Sequence, residues 1–296
     1  MGAPIIPKND ADPTGQDSRE RKAIADFARR MKLIQRGMLA ILAKQQYQVV
    51  TVNATEYRFE LDPFILRNIN AEIAALIDSI LLEGGEENLW FMNAYVAPAV
   101  VQGTAQSYHN LSVQSEVYAA SRPTLESVLL SDPYRRRLGL VRAREFELMK
   151  GFSEQMRADL GDTLTRGMAA GQNPRVIAKD IVERVGVSQS RAERIARTEI
   201  NNGLRQAKIA EDQDAVDQLG IQQKQMHISA LSPSTRDTHA ARNGKLFTIQ
   251  EQKEWWAQTP NSINCKCTTV AILVNDDGEP LSPKTVERVR AKGKGR

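Results

Sequence analysis

Cys265 and Cys267 are the only cysteines among the 296 residues, and one lysine separates them. Two thiolates at this spacing can share one metal ion, and a tetrahedral zinc site wants two more ligands. The sequence holds three histidines, and two of them, His227 and His239, precede the pair in the C-terminal third. With both, the set would be Cys2His2, but the separation of His239 from Cys265 fits no common zinc-finger spacing. A structural reading competes: small apolar thiols at a turn into the strand-like run "TTVAIL". Redox or catalytic use is the third possibility, and a catalytic thiol would need His239 folded against it as a base. The structural reading leads. No cofactor is expected, and zinc on His239, Cys265 and Cys267 is the main open alternative.

Two more stretches carry polar chemistry. In "STRDTHAARNGKLF", Asp237 and His239 stand close enough to share a metal or a hydrogen bond, and Asn243-Gly244 signals a turn. A loop mixing Arg, Asp and His could serve a nuclease, although a satisfied polar turn has the same composition. In "ARTE", Arg197 and Glu199 lie two apart and so point to different faces of a helix. Glu199 is expected to reach Arg236 or Arg242 instead. His109 stands alone and reads as a surface or capping group.

The order of these stretches says more than any one of them. "RAERIARTEINNGLRQA" is followed by "HISALSPSTRDTHAARNGKLF" and then by "TPNSINCKCTTVAI". This series resembles the C-terminal signature of the phage Mu F-like minor head proteins, a family of head morphogenesis proteins in tailed bacteriophages. Arg197, Thr198, Glu199, Ser229, Ala230, Arg236, His239, Gly244, Pro260, Asn264, Cys265 and Cys267 match it, over roughly residues 190–272. The upstream region fits by position and character only. Lys266 stands where the family usually has Arg. His227 stands where it usually has Trp, which argues against His227 as a ligand. No acidic residue opens the loop "LSPSTR", which counts against acid-dependent chemistry there.

The resemblance implies a virion component made in the host cytoplasm. It would meet the phage portal protein through its helical part, alongside other head or scaffolding proteins, and be packaged in the head near the portal. It would act in head assembly or in the fate of the genome at ejection, without catalysis and without a membrane during assembly. Two alternatives stay open. One is a virion-carried metal-assisted nuclease or toxin-like enzyme using Asp237, His239 and the cysteines. The other is a DNA-binding protein using residues 174–214.

The elements that must position these residues read as α+β: a mainly helical N-terminal region followed by a small α+β C-terminal domain. Hydrophobic content of 41% and charged content of 26% allow a real core, and 5% aromatic residues lean toward helical packing. Residues 1–17, rich in Pro and Gly, read as a flexible arm. Residues 18–215 read as the mainly helical, portal-associated region. It opens with an amphipathic helix from Ser18 to Lys44 whose other face is basic, carrying Arg29, Arg30 and Lys32 among others. A hairpin over 48–61 turning at "NAT" follows, then a helix started by Asp62 and Pro63 and ended at Gly84-Gly85. A further helix broken near Pro98 comes next, and a long one over 140–170. Asn173 and Pro174 start another helix. Two short helices joined by "GVS", with Ser190 and Glu193 at capping-box spacing, weakly resemble a helix-turn-helix.

Residues 216–275 read as the α+β module, with strands at "IQQKQMHISAL" and "TTVAILVN" and a short helix at "IQEQKEWWAQ". Residues 276–296 read as a basic flexible tail. Net charge is +4 and the pI about 9.0. Lys284, Arg288, Arg290, Lys292, Lys294 and Arg296 are the expected contacts to DNA phosphate, non-specific and salt-sensitive. No run of about 18 apolar residues is present, so no transmembrane helix is expected. The N-terminus shows no apolar signal core, which fits a protein that stays in a reducing cytoplasm.

Overall fold

Capping chemistry sets several helix starts. The Asp62 carboxylate accepts from the Phe64 and Ile65 backbone N–H groups, and Pro63 fills the first helical position. Ser131 accepts from Tyr134, and Asn173 accepts from Arg175 while its amide donates to the Tyr57 hydroxyl. The computed structural model describes residues 2–51 and 55–293. In chain order these form α1 (Asp17–Ala43), β1 (Tyr47–Thr51), β2 (Thr55–Phe59), α2 (Pro63–Leu81) and α3 (Gly85–Asn88). A π-helical turn, Met92–Val96, leads into α4 (Ala97–Gln114), then α5 (Glu116–Ser121), α6 (Leu125–Leu129), α7 (Asp132–Ala169) and α8 (Pro174–Leu219). The rest is β3 (Gln223–Ile228), α9 (Asp237–Ala240), β4 (Leu246–Phe247), α10 (Ile249–Ala257), β5 (Thr268–Leu273) and α11 (Pro283–Gly293). The chain is therefore mainly helical, with a small α+β region at its C-terminal end. Among the described residues, no helix is long and apolar enough to cross a membrane.

The chain divides into two units. One holds the described residues of Lys22–Asn93 and Val141–Ile195. Its α1 stripe, Phe27, Met31, Ile34 and Met38, is buried, as is the α2 stripe Ile69, Ile73, Ile77 and Leu81. Both run at three- and four-residue spacing, which places each on one helix face. Arg30 leaves the expected solvated face of α1. Its guanidinium lies 3.8 Å from the Trp90 ring centre and reaches Glu83 at 2.7 Å. The hairpin β1–β2 is antiparallel with Tyr47 opposite Phe59. Its expected turn at "NAT" falls largely outside the described residues.

The other unit holds the described residues of Met1–Arg21, Ala94–Leu140 and Ala196–Arg296. Its sheet has the antiparallel order β4-β3-β5, with His227 opposite Thr269 and Met226 opposite Val270. Side chains alternate across a sheet, so β5 serves two cores. Val270 and Ile272 pack with Met226, Ile228 and the α11 residues Val286 and Val289. Ala271 and Leu273 pack with Leu111, Tyr118 and Ala215. Both faces are covered, which is why every β5 residue is buried. The sheet is tied to α4 by Asn110 and Gln114, whose amides both donate to the Ala271 carbonyl at 2.9 Å. Gly103 of α4 lets α8 approach, since a Cβ there would stand 2.2 Å from the Leu204 carbonyl oxygen.

Five expectations change. The "GVS" stretch is not a turn: α8 runs unbroken through it, so residues 174–214 contain no helix-turn-helix. Ile177, Ile181, Val185, Ser188, Ala192 and Ala196 form a continuous buried stripe, while a Cβ on Gly186 would meet nothing within 4 Å. Ser190 accordingly caps no helix start, and its hydroxyl donates to the Gly186 carbonyl. The expected arm is packed: Pro4, Asp12, Pro13, Thr14 and Gln16 are buried, and the Ile5 N–H donates to Asn110 Oδ1 at 2.9 Å. Asp12 accepts from the Gly15 and Asp17 N–H groups and so caps the approach to α1. The expected tail folds as α11, because Val286 and Val289 close one face of the sheet. The unit boundary falls within α8 near Ala196 rather than at 215, because Leu204 to Ala215 pack with the sheet unit. Finally, α7 starts at Asp132, ahead of the expected 140.

Candidate functional site

The short helix α9 turns His239 inward, where it is buried, and the loop before β5 brings both cysteines to it. His239 Nδ1 lies 3.4 Å from Cys265 Sγ and 3.5 Å from Cys267 Sγ. The three potential ligand atoms all lie within 4.8 Å of one another, and all three residues are buried. The two residues that follow β3 supply further contacts to sulfur. The Ala230 N–H donates to Cys267 Sγ at 3.5 Å, and Ser229 Oγ lies 3.7 Å from the same sulfur. Trp255 of α10 stands edge-on to the His239 ring with centroids 4.6 Å apart.

The cysteine loop is held by side chains from distant parts of the chain. Arg236 donates to the carbonyls of Pro260 at 2.8 Å, Asn261 at 3.4 Å and Ile263 at 3.0 Å. Asn264 has φ +51°, a left-handed conformation that Asn tolerates better than most residues, and its N–H donates to Thr198 Oγ1 at 3.2 Å. Arg205 of α8, almost wholly buried, donates to the Cys265 carbonyl at 2.6 Å, to that of Cys267 at 3.3 Å and to that of Ser262 at 3.4 Å. One guanidinium thus satisfies carbonyls that would otherwise lie buried without donors. Lys266, between the cysteines, pairs instead with Asp17 and with Glu20 of α1, the latter at 3.6 Å.

The two thiols are not equivalent. The hydrogen bond from Cys267 and the charge of Arg205 hold Cys265 well below the ordinary thiol range, against the opposing effect of burial. Cys267 is driven well above that range by its hydrogen bond to Cys265 and by burial. Cys265 is therefore the more acidic thiol of the two.

His227 belongs to a neighbouring cluster. Arg242 donates to Gln252 Oε1 at 3.1 Å, which turns the Gln252 amide nitrogen toward His227 Nδ1 at 3.0 Å. His227 packs against Trp255 and Trp256, with centroids 5.0 and 5.5 Å away. Burial, aided by the Arg242 charge, pushes its pKa down to about 3, so the ring is neutral at ordinary pH. A Cys2His2 set with His227 is not assembled, in keeping with an aromatic position. Asp237 is exposed and does not join the His239 group, so the nuclease arrangement of Asp237, His239 and the cysteines does not form. Arg242 stacks on Phe247 and Trp255 at 3.7 and 4.4 Å.

Gly244 is fixed by packing as well as by its turn. Its φ is +69°, and a Cβ there would lie 2.6 Å from the Arg290 backbone nitrogen of α11. Arg290 Nε donates to the Gly244 carbonyl at 2.9 Å, and Lys292 pairs with Asp10 at 2.7 Å. Two of the expected phosphate contacts thus serve the fold. Lys284 and Arg288 are exposed, and Lys294 and Arg296 lie outside the described residues. His109 is exposed, as expected. Arg197 lines a cavity of about 280 Å³ beside the cysteines, together with Arg236, Lys266, Ser232, Ser234 and Thr235.

Sequence reasoning missed Arg205. The available signal was spacing: Thr198 and Arg205 are seven apart, two helical turns, and so share a face. The motif residues Thr198, Arg236, Asn264, Cys265, Cys267 and His239, spread over three stretches, meet at one loop. Residues 158–270 match the family model "Phage Mu protein F like protein".

This segment is similar to the phage Mu protein F-like family.

The F-like segment begins earlier than the motifs suggest, within α7, and ends inside β5. An uncharacterized protein of Haemophilus influenzae is 23% identical over 189 residues, covering 62% of this chain and 39% of that protein. The chain thus spans well under half the length of that relative. No solved structure matches it.

Proposed function

We propose that this F-like protein acts in head morphogenesis of a tailed bacteriophage, as a virion component that associates with the portal. The observation that carries this reading is the match over residues 158–270, whose motif residues converge on one locked loop. Nothing in that role calls for catalysis. The loop is held chiefly through its own backbone groups, by Arg205, Arg236 and Thr198, which suits a fixed piece of architecture. The exposed Lys284 and Arg288 on α11 suit weak, sequence-independent contact with packaged DNA.

The test is size-exclusion chromatography with light scattering on the purified protein mixed with the portal protein encoded beside it. A defined complex that survives moderate salt is expected. Separate elution at every protein concentration and salt tried would overturn the portal role.

A further inference from the structure

We propose that His239, Cys265 and Cys267 form a Cys2His site for a thiophilic divalent ion of the zinc class, with the fourth coordination position open to the adjacent cavity. The geometry carries this. With Zn–S of about 2.3 Å and Zn–N of about 2.0 Å, the sulfur-to-nitrogen edge of a tetrahedral site is about 3.5 Å. His239 Nδ1 stands 3.4 and 3.5 Å from the two sulfurs, both on the same nitrogen. One ring nitrogen facing two sulfurs is what a shared ion requires. A neutral imidazole nitrogen, by contrast, can serve only one thiol well as a hydrogen-bond partner.

The surroundings also suit a metal. The Ala230 N–H and Ser229 hydroxyl approach Cys267 Sγ, as outer contacts to metal-bound thiolates do. Arg205, Arg236 and Thr198 fix the loop backbone, so the ligands are held in place before an ion arrives. Two thiolates and one imidazole leave a site of net charge zero with a divalent ion.

Among the described residues, no fourth His, Cys, Asp or Glu joins the group. The cavity beside the cysteines is lined by Arg197, Arg236 and Lys266 with three hydroxyl side chains. The fourth ligand is accordingly water or a small oxygen donor, which the N–H and hydroxyl groups of that lining can hydrogen-bond. A site with three protein ligands and one open position exchanges its fourth ligand, unlike a closed structural site. This inference does not depend on the head-protein reading, because metal content is measured without the portal.

The experiment uses the full chain, purified without chelator or affinity metal. Elemental analysis should find one zinc per chain. Replacement by cobalt(II) should give an intense thiolate-to-cobalt absorption and tetrahedral visible bands, both lost in Cys267→Ser and His239→Ala. Added azide should shift the visible bands, since the open position admits it. A folded native protein that carries no zinc and gives no thiolate-to-cobalt band overturns the site, whether or not the variants fold. A cobalt spectrum unmoved by azide overturns the open position.

Discussion

The Arg205 guanidinium donates to the Cys265 carbonyl at 2.6 Å, from a position on α8 sixty residues earlier in the chain. Its other carbonyl partners, on Cys267 and Ser262, lie in the same loop. Arg205→Met keeps much of the buried volume and removes every donor. The variant should lose on the order of 3 kcal/mol, the scale of leaving buried carbonyls unpaired. Urea unfolding measures the loss. Native-state reaction of the cysteines with a thiol reagent should also speed up as the loop loosens. An unchanged midpoint together with unchanged reactivity would show that the guanidinium is dispensable.

Asn264 should respond to substitution by backbone rather than by side chain. Its φ of +51° is open to Gly and costly for β-branched residues. Asn264→Gly should therefore stay within about 1 kcal/mol of the parent, and Asn264→Val should lose roughly 1–3 kcal/mol. Thermal melts of the two variants decide it, and equal losses would contradict the conformational account.

Gly244→Ala is expected to destabilise by roughly 1–3 kcal/mol. The added methyl meets the Arg290 backbone at 2.6 Å, so α11 must shift or the turn must open. Hydrogen exchange should show the extra opening on α11 rather than on α10. Uniform loss across the chain would point to the turn alone.

Asp212 sets a pH dependence. It lies on α8 facing Ser107 of α4 and Gln225 of β3, with Lys208 and Glu211 on its own helix. Burial pushes its carboxyl up to about 6, against the hydrogen bonds and Lys208 that pull it down. The folded state then keeps a proton that the unfolded chain releases above about pH 4. Stability from this group is present at low pH and falls as pH rises through about 4 to 6. Asp212→Asn removes the charge, so its stability relative to the parent should improve across that window, by at most about 3 kcal/mol for roughly two pKa units. Urea titrations at several pH values read it, and a difference that stays flat with pH rules the shift out.

Local chemistry was legible where it was complete within a few residues. Asp62-Pro63 and Asn173-Pro174 each carry their own cap, and both start helices where expected. The β5 run reads as a strand because it is β-rich and uniformly apolar at its centre. Gly186 and Ser188 misled because each favours turns on its own, while the buried stripe from Ile177 to Ala196 passes through them. That stripe was present in the sequence and outweighed the local signal. The packed segment at residues 2–16 was not legible, since its partners lie far away in the chain: Asn110 for Ile5, and Leu231 for Asp10.

At the cysteine loop, residue identity showed which side chains matter but not how they act. Arg236 and Thr198 were picked out as motif members, and each acts on backbone groups of the loop. Carbonyl and N–H groups leave no mark in a sequence, so a residue that serves them looks like any other polar residue.

The interleaving of the sheet unit also fixes an order of events during synthesis. The Asp10 carbonyl accepts from the Leu231 N–H at 2.8 Å, and the Asp10 carboxylate pairs with Lys292. Residues 2–16 thus leave the ribosome more than two hundred residues before these partners exist. Until then the Asp10 groups have neither partner, although Asn110, which holds the Ile5 N–H, is already made. The unit is therefore completed only after translation has passed α11, whose Val286 and Val289 close one face of the sheet.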